Sequence, residues 1–594
     1  MKNSSIIKEY AIPALYLAAI LGLILSIVGQ DVPKVGHDYG FFIPRMLDTY
    51  LHHKVNGLGI QWYTANFGAG TPAYSNPQYL QYSLPQFSMF VVNPWLALMG
   101  SLATYSVIGF VGFYAFLRYE LGWIRAACAL GASFILANGF FIEHAIVGHV
   151  GFQHFPLLGV FLFLVFTKRL GFLTAGVLIG LMAAMLVNQA GFIVLIIFIL
   201  SLLILFPLIY LIRSELFEMK LFATLLTGSL MALLLSASKI SAVTAYMRFL
   251  PRVIEDNYGQ TYLQGLAGMV RQLTGFNFIV PYYLMTDRDI EDIAIFFHKG
   301  AGAQFGLWEM DMSLSTGLIF LLVFGLGASL LAIFKIKPNI STGKVIAALF
   351  LLLAIWLAIE MTLAQGWLYS LLKPLPVLRS LHANVRFTSA FIFPLALIGA
   401  FSFHWVFNDK RSGNPVAVVL GLTTLAMLSL YLAIPDEVHL RNFNLNSALP
   451  IYTQIDRGWN FTLQDIAEIT DMQVFVEEDS NLASQDPIFG YEGEFFKPKA
   501  VVGPILQVTD GHYNMTNPAG YVFPEENGLE PFDLFRVDQK EDLELFIGHK
   551  QPNLEISIWQ KFADFVSFIT LAMSIMYLLF ALIQGRLNLL SIVV

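Results

Sequence analysis

An acidic residue follows the first apolar stretch of the chain, and a proton-binding side chain stands next to it. Asp38 lies in the sequence Gly36-His-Asp-Tyr-Gly40, shortly after an apolar stretch that runs from Ala11 to Val28. A carboxylate at such a position can take a proton from a hydroxyl group, which is the chemistry of a general base. We predict that Asp38 is catalytic and that His37 contacts substrate. The alternative is a solvated acid without a catalytic role.

A second group of polar residues lies at 138–154. Asn138-Gly-Phe-Phe-Ile-Glu-His144 is followed by His149 and His154 at steps of five residues. Three histidines and an acid are candidate metal ligands, but steps of five do not align on one helix face, so no metal ligands are assigned. We predict that Glu143 is a second catalytic acid and that His144 and His149 contact substrate. Interfacial polar residues without a catalytic role are the alternative.

Several basic residues occur in loops that, by the topology derived below, lie on the extracytoplasmic side of a membrane. Few basic residues are expected on that side. Arg379 and Arg386 are seven residues apart, so a helix would present both on one side, with His382 between them. Lys239 lies directly after another apolar stretch, at 221–238. Because arginine binds phosphate in bidentate geometry, we predict that Arg379, Arg386 and Lys239 bind a phosphate group and that His382 contacts substrate. Charge balance against acids of the same loops is the alternative.

Aromatic and amide side chains dominate the segment from Gln61 to Gln78, which is nearly free of charge. Trp62 and Tyr74 could stack on sugar rings, while a belt of aromatic anchors at the lipid headgroups is the alternative. Before this segment, the residues at 41–53 form an amphipathic pattern that predicts a helix lying in the membrane interface. Arg45 on that helix is a further candidate for substrate binding.

The composition of the chain indicates what must position these residues. Of its 594 residues 57% are hydrophobic and 13% are charged, where soluble domains have about 25% charged residues. The mean hydropathy is +0.66, and a single soluble core does not extend over so many residues. The net charge of −7 gives no indication of the basic surface that nucleic-acid-binding proteins carry. One cysteine, Cys128, excludes an intrachain disulfide.

Apolar runs of membrane-spanning length recur along the chain and predict a polytopic α-helical membrane protein of about twelve transmembrane helices. The predicted spans are 10–29, 86–117, 126–142, 155–167, 171–187, 191–212, 221–238, 314–334, 345–363, 385–407, 415–434 and 562–584. Alternate loops carry the basic residues of the short connections, for example Lys168, Arg213 and Lys344. Basic loops face the cytoplasm, so we predict that both termini are cytoplasmic and that Asp38 lies on the extracytoplasmic side.

Three parts of the chain follow from this topology. Residues 1–434 form a transmembrane module whose first outer loop is 30–85. Residues 435–560 form a small α+β extracytoplasmic domain, because alternating stretches such as Met472–Val476 predict short strands. Residues 561–594 form the final transmembrane helix and a cytoplasmic tail. Basic residues before the first apolar stretch, with no cleavage site after it, predict a retained signal anchor.

The layout resembles the GT-C superfamily of integral membrane glycosyltransferases, and bacterial YfhO-type proteins in particular. The resemblance covers roughly residues 1–410 and an outer C-terminal domain. It depends on Asp38 after the first span and on the interfacial helix that follows. It also depends on the loop motifs Gly70-Thr-Pro72 and Asn76-Pro-Gln78, and on the segment Arg379–Phe387, which leads into a span. It implies that the first-loop acid is the catalytic base or, as in oligosaccharyltransferases, a metal ligand. A lone Asp38 replaces the acidic pair often found there, so no cofactor is expected to be required, with a divalent metal as the alternative.

The resemblance further implies a protein of the bacterial inner membrane that transfers a sugar from a polyprenyl-phosphate lipid donor to an extracytoplasmic glycan or lipid acceptor, with inversion. Its partners would be these two substrates and the bilayer, with no nucleic acid. A transporter or flippase of lipid-linked glycans is the alternative, as is a glycan polymerase or ligase. Polar residues cluster on one face and not mid-span, which favours the enzyme. The chain lacks a Walker loop, a G-x-S-x-G elbow and an H-E-x-x-H motif.

Overall fold

Helices, many of them long and apolar, account for most of the described residues. The structure is a computed structural model that describes residues 2–249, 261–286, 306–333, 341–375, 378–380, 383–408, 413–434, 439–485 and 499–584. Within these ranges eight helices are long and apolar enough to cross a membrane, and shorter apolar helices lie at Val150–Phe166, Phe172–Asn188 and Thr316–Gly325. A bilayer core offers backbone groups no hydrogen-bond partner, so apolar runs of this length satisfy their own N–H and C=O groups as helices. The chain is a multi-pass membrane protein.

The α-helices of the described residues follow in chain order. They are α1 (Lys2–Val28), α2 (Tyr39–Asn56), α3 (Leu84–Ser88), α4 (Pro94–Ala115), α5 (Arg125–Phe134), α6 (Gly139–Val147), α7 (Leu158–Phe166), α8 (Phe172–Asn188), α9 (Phe192–Ile212), α10 (Met219–Phe249), α11 (Tyr262–Thr286), α12 (Leu307–Met310), α13 (Thr316–Ile333), α14 (Thr342–Glu360), α15 (Trp367–Leu372), α16 (Ile392–Phe407), α17 (Gly413–Ser429), α18 (Ala448–Asp456), α19 (Val474–Glu477), α20 (Ala519–Val522), α21 (Pro524–Asn527), α22 (Lys540–Ile547) and α23 (Ile558–Ile583). A π-helical turn extends α4, and 3-10 segments at Val150–Leu157 and Asn384–Phe391 lead into α7 and α16.

The predicted span at 126–142 is not one helix. Two short buried helices, α5 and α6, replace it, and the break falls at Asn138. The Asn138 side chain accepts a hydrogen bond of 3.0 Å from the Phe141 N–H and so caps α6, while its backbone pairs with Leu314. The residues on both sides of Asn138 are apolar, and for this reason hydropathy alone does not show the break.

Loops that the sequence predicts on the cytoplasmic side contact one another at one end of the helices. Lys220 Nζ donates to the Thr167 carbonyl at 2.6 Å, and Lys168 pairs with Glu218. Arg213 donates to the Glu120 carbonyl at 2.5 Å. Three predicted cytoplasmic loops therefore lie on one face. We call the opposite face, which carries the first loop and the C-terminal region, the Asp38 face.

The first loop and the C-terminal region fold together on the Asp38 face. The strands are β1 (Lys34–Val35), β2 (Tyr63–Thr64), β3 (Thr71–Pro72), β4 (Phe443–Asn444), β5 (Asp465–Ala467), β6 (Ser480–Asn481), β7 (Gly503–Pro504), β8 (Val508–Thr509), β9 (His512–Thr516) and β10 (Leu534–Arg536). Strand β1 pairs antiparallel with β4, and β2 with β3. The C-terminal region holds two small three-stranded sheets, β6-β5-β7 and β10-β9-β8. These short strands and helices form the small α+β region that the sequence predicts.

One apolar cluster joins the first loop to the C-terminal region. Ile43 and Leu47 of α2 pack in the same cluster as Ile451 of α18 and Phe475 of α19. The predicted helix after Asp38 is present, and nearly all of Tyr39–His53 is buried under protein, so its apolar face packs against the C-terminal region. The boundaries 435–560 remain a prediction, while the core of that region is shared with residues 35–98.

Candidate functional site

Asp38 is fixed where α2 begins, against the end of α6. Its N–H donates to the Val147 carbonyl at 3.0 Å, and the neighbouring Tyr39 hydroxyl donates to the Ala145 carbonyl at 2.7 Å. Gly36 lies so close to the backbone of residues 146 and 147 that a Cβ atom would collide with it. The first loop and α6 therefore approach each other closely at the position of the predicted base.

Two imidazoles flank the Asp38 carboxylate. His149 Nε2 contacts Oδ2, and His37 Nε2 lies 3.1 Å from Oδ1. Burial alone would raise the pKa of Asp38, but His149 and then His37 outweigh this effect and hold that pKa below its usual value. The position at the beginning of α2 also favours a negative charge. The side chain is 27% exposed, so Asp38 is an ionised carboxylate that a substrate can reach.

A chain of polar contacts leads from His149 into the protein. The rings of His149 and His144 lie 5.0 Å apart, and His144 Nε2 is 3.8 Å from Glu309 Oε2. Glu309 in turn binds Arg386 through both of its carboxylate oxygens. Burial would raise the pKa of Glu309, but Arg386 and His144 lower it well below the usual value. Asp38 and Arg386 thus stand at the two ends of one connected cluster.

Part of this cluster has the composition of a metal-binding group. His144, His149 and Glu309 each offer one ligand atom, and these atoms all lie within 4.8 Å of one another. His144 Nε2 and His149 Nδ1 are buried and have no hydrogen-bond partner. Two imidazole nitrogens and a carboxylate are a donor set that divalent ions such as zinc accept.

Glu143 contacts a different set of side chains from Asp38. It lies on α6 next to His144, and successive helical residues point about 100° apart. Its Oε1 is 3.3 Å from His439 Nε2 in a fully buried position, and its charge raises the pKa of Asp311 together with burial. Tyr431 donates to Asp311 Oδ2 at 2.6 Å. Glu143 therefore belongs to a second buried polar group, together with His439, Asp311 and Tyr431.

The three predicted phosphate-binding cations have different surroundings. Arg379 is half-buried at Leu378–Ser380, and within the described ranges no carboxylate pairs with it. Arg386 pairs with Glu309, and Lys239 donates to the carbonyls of Tyr74 and Asn76 at 2.6 and 2.9 Å. Arg379 lies in the 3-10 segment Leu378–Ser380 and Arg386 in the 3-10 segment Asn384–Phe391, and Ala383 before the second segment has a φ of 58°.

Three predicted substrate-binding residues lie in contacts with the C-terminal region or within the first loop. Arg45 is buried and its Nη1 lies 2.8 Å from Asp471 Oδ2. Trp62 and Tyr74 pack in an apolar cluster with Tyr246 and Phe523, and each is only 4% exposed. His382 lies outside the described residues. The cluster around Asp38 thus contains His37, His144 and His149 from the predicted set, but not Arg45, Trp62 or Tyr74.

For Glu309 the sequence offers only the role of its segment, which either lines an acceptor pocket or belongs to an aromatic belt. The segment Trp308–Asp311 is conspicuous at the start of a span, and in the structure the Trp308 ring lies 5.1 Å from the His37 ring. Glu309 and Asp311 face the two polar groups described above. Nothing local in the sequence indicates His439, whose partner Glu143 is 296 residues away.

No family model and no curated protein matches the sequence, whereas several solved structures resemble its fold. The Archaeoglobus fulgidus oligosaccharyltransferase in complex with Zn and sulfate is 16% identical, with a TM-score of 0.39 over 79% of this chain and 62% of that one. AglB from the same organism, in complex with an inhibitory peptide and a dolichol-phosphate, is 14% identical, with a TM-score of 0.38 over 81% and 65%. ArnT from Cupriavidus metallidurans bound to undecaprenyl phosphate is 16% identical, with a TM-score of 0.37 over 82% and 89%.

These structures share a fold class with one another. They are glycosyltransferases of the GT-C fold, the superfamily that the sequence resembles, while the YfhO-like subtype remains a prediction. The present chain spans less than two thirds of the length of the two archaeal structures. All of the TM-scores are below 0.5, so the function must be argued from the residues of this chain.

Proposed function

We propose that this protein is a membrane glycosyltransferase that moves a sugar from a polyprenyl-phosphate donor to a glycan or lipid acceptor on the extracytoplasmic side, with inversion. The observation that supports it best is the Asp38 carboxylate, ionised between two imidazoles and 27% exposed. It is connected through His149, His144 and Glu309 to an arginine, 13% exposed, whose guanidinium has the geometry to bind phosphate. A base and a phosphate-binding cation in one cluster are what this reaction requires.

Asp38 would act as general base. As the acceptor oxygen attacks the anomeric carbon, its proton passes to the Asp38 carboxylate. The new C–O bond forms on the side opposite the leaving group, so the anomeric configuration inverts. The bond between the anomeric carbon and the phosphate oxygen breaks, and the phosphate leaves with the bonding electrons. Because Asp38 is ionised, it is ready to accept the proton at neutral pH.

Arg386 and Arg379 would stabilise the departing phosphate. Negative charge increases on its oxygens as the bond breaks, and fixed cations lower the energy of that state. Arg386 lies at the beginning of a candidate span, Asn384–Phe407, which is a suitable depth for the phosphate of a membrane lipid. Lys239 is engaged by two backbone carbonyls, so we assign it to holding the first loop.

A divalent metal fits the group formed by His144, His149 and Glu309. The two buried imidazole nitrogens without partners support this assignment, and the engagement of Glu309 by Arg386 opposes it. An ion there would supply positive charge that stabilises the leaving phosphate. The proton transfer to Asp38 does not depend on it, so the proposed reaction needs no metal for its base.

Reconstitution of the purified protein with polyprenyl-phosphate sugars tests the base. We expect Asp38→Asn to lower the transfer rate by about 100-fold or more, since the amide cannot accept the proton. Asp31→Asn is the matched control: Asp31 lies in the same loop, is also 27% exposed and also pairs with a cation, Arg441. Its rate should stay close to that of the parent. Equal rates for Asp38→Asn and the parent would exclude Asp38 as the base, and lipid movement without sugar transfer would favour a flippase.

A further inference from the structure

Trp308 lies in the candidate site next to the predicted base. The rings of Trp308 and His37 are 5.1 Å apart, with their planes inclined at 57°, and His37 Nε2 is 3.1 Å from Asp38 Oδ1. The next residue in the chain, Glu309, pairs with Arg386. Trp308 is therefore linked by a ring contact to the base and by one peptide bond to the residue that holds the cation assigned to the phosphate.

A glycine also defines the position of the indole. Gly306 has no side chain, and a Cβ atom at this position would collide with three carbons of the six-membered ring of Trp308. The indole therefore lies directly against the Gly306 backbone as well as near the His37 ring. A side chain that is already held in place loses little conformational freedom when a ligand packs on it.

The part of the site that a ligand can reach includes this ring. His144 is fully buried. In contrast, the side chains of Asp38 and His37 are 27% and 29% exposed, and Trp308 is half-buried. A ligand that enters the site to reach Asp38 therefore comes to lie beside the Trp308 indole.

The transferred sugar must occupy the same part of the site. Its anomeric carbon is bonded to the phosphate oxygen near Arg386, and the same carbon is attacked by the acceptor oxygen whose proton passes to Asp38. The sugar ring is thus within reach of a side chain that is linked to both residues. The face of an aromatic ring carries partial negative charge that attracts C–H groups, and stacking also removes the apolar face of the sugar from water.

We infer that Trp308 is the platform for the transferred sugar: its indole stacks on the C–H face of a pyranose in the donor and holds the anomeric carbon between Asp38 and the leaving phosphate. The inference rests on the proposed function, because that function supplies the sugar donor. Trp308 thus distinguishes the donor from the polyprenyl monophosphate product, which has no sugar to stack on it. The loss of this contact after transfer favours release of the product.

Lipid binding to the detergent-solubilised full chain tests this inference. The probes are polyprenyl monophosphate and polyprenyl-phosphate sugars that carry glucose, galactose, mannose or N-acetylglucosamine. We expect the parent to bind at least one sugar-bearing lipid more tightly than the monophosphate. Trp308→Leu should raise the Kd of that lipid by about tenfold and leave the Kd of the monophosphate unchanged. Trp308→Phe, which keeps an aromatic ring, should raise it less.

Two further variants make the test specific. Gly306→Ala should also weaken binding of the sugar-bearing lipid, since the added methyl group displaces the indole while keeping it in the protein. Trp367→Leu is the matched control, because Trp367 is 68% exposed and its ring stacks on Trp356 instead of lying near His37. Its Kd values for both kinds of lipid should equal those of the parent.

The possible results separate the inference from the proposed function. If Trp308→Leu binds the sugar-bearing lipid as tightly as the parent does, the inference is wrong, while sugar transfer by the parent would leave the proposed function standing. If Trp308→Leu and Gly306→Ala lose both kinds of lipid to the same extent, Trp308 belongs to a belt at the lipid headgroups and the inference is again wrong. A parent that transfers no sugar and binds no sugar-bearing lipid more tightly than the monophosphate would contradict both.

Discussion

The contact between Asp38 and His149 determines how the candidate base ionises. Burial alone would keep Asp38 protonated to a higher pH, and His149 reverses that tendency more strongly than His37 does. A carboxyl whose pKa is lowered in the folded chain stabilises the fold above its ordinary pKa of about 3.9. This contribution is lost as the pH falls through the lowered value. Activity that needs ionised Asp38 should accordingly persist in mildly acidic solution.

Replacement of His149 should shift the acidic limb of the pH–rate profile. In His149→Gln the burial of Asp38 is less compensated, so its pKa rises and kcat/KM should begin to fall at a pH higher by about one unit. His154→Gln is the control, because His154 bonds to Gln189 and Gly151 and does not contact Asp38. Profiles that coincide for the parent and His149→Gln would show that Asp38 ionisation does not limit the rate.

The sequence could locate Asp38 and the histidines near it, because they lie in two short segments at the ends of apolar runs. It could not pair Glu309 with Arg386, since that contact joins residues 77 positions apart and depends on the turn at Asn138 that directs α6 toward α12. Composition likewise could not show that Arg45 and Trp62 are buried by the C-terminal region. Charged and aromatic residues have the same appearance in sequence whether they bind a sugar or hold two elements together.

At the scale of elements, α2 joins the first loop to the C-terminal region through two ion pairs of different burial. Arg45 pairs with Asp471 at side-chain exposures of 4% and 2%, whereas Lys54 pairs with Asp456 at 35% and 53%. Arg45 also packs against the rings of Phe41 and Phe67. Removal of one partner should therefore cost more in the buried pair than in the exposed pair.

The two pairs predict unequal losses of stability. Arg45→Gln should lower the free energy of unfolding by about 3–5 kcal/mol, because it leaves Asp471 buried without a counter-charge. Lys54→Gln, the exposed counterpart, should cost less than about 1 kcal/mol. Thermal unfolding in detergent measures both. Similar midpoints for the two variants, or a specific loss of sugar transfer in folded Arg45→Gln, would favour the substrate-binding role predicted from the sequence.

At the scale of the whole molecule, the long helices follow from hydropathy, whereas the break at Asn138 and the outer region do not. The spans are long apolar runs that close their own hydrogen bonds, so composition alone reveals them. The strands of the Asp38 face are mostly two residues long, and the pair β1–β4, which joins the first loop to the C-terminal region, connects Lys34 with Asn444. Such pairing depends on contacts that no local pattern encodes.

The single cysteine makes the predicted orientation testable. Cys128 is buried, so Cys128→Ala gives a background without thiols. Leu58 follows α2 on the Asp38 face and Met219 begins α10 on the opposite face, and both are exposed. In intact cells a membrane-impermeant maleimide should label Leu58→Cys and should label Met219→Cys only after permeabilisation. The reverse pattern would place Asp38 in the cytoplasm and exclude a reaction on the extracytoplasmic side.

The pairing of Arg45 with Asp471 also has a consequence during synthesis. The two residues are 426 positions apart, and at 5–20 residues per second a ribosome needs roughly 20–85 s to cover that distance. Throughout this interval α2 is already made while its covering partners, β4, α18 and Asp471, do not yet exist. The candidate site is therefore completed late in synthesis. A chain that stops before residue 471 leaves Arg45 without Asp471 and the apolar surface of α2 without its cover.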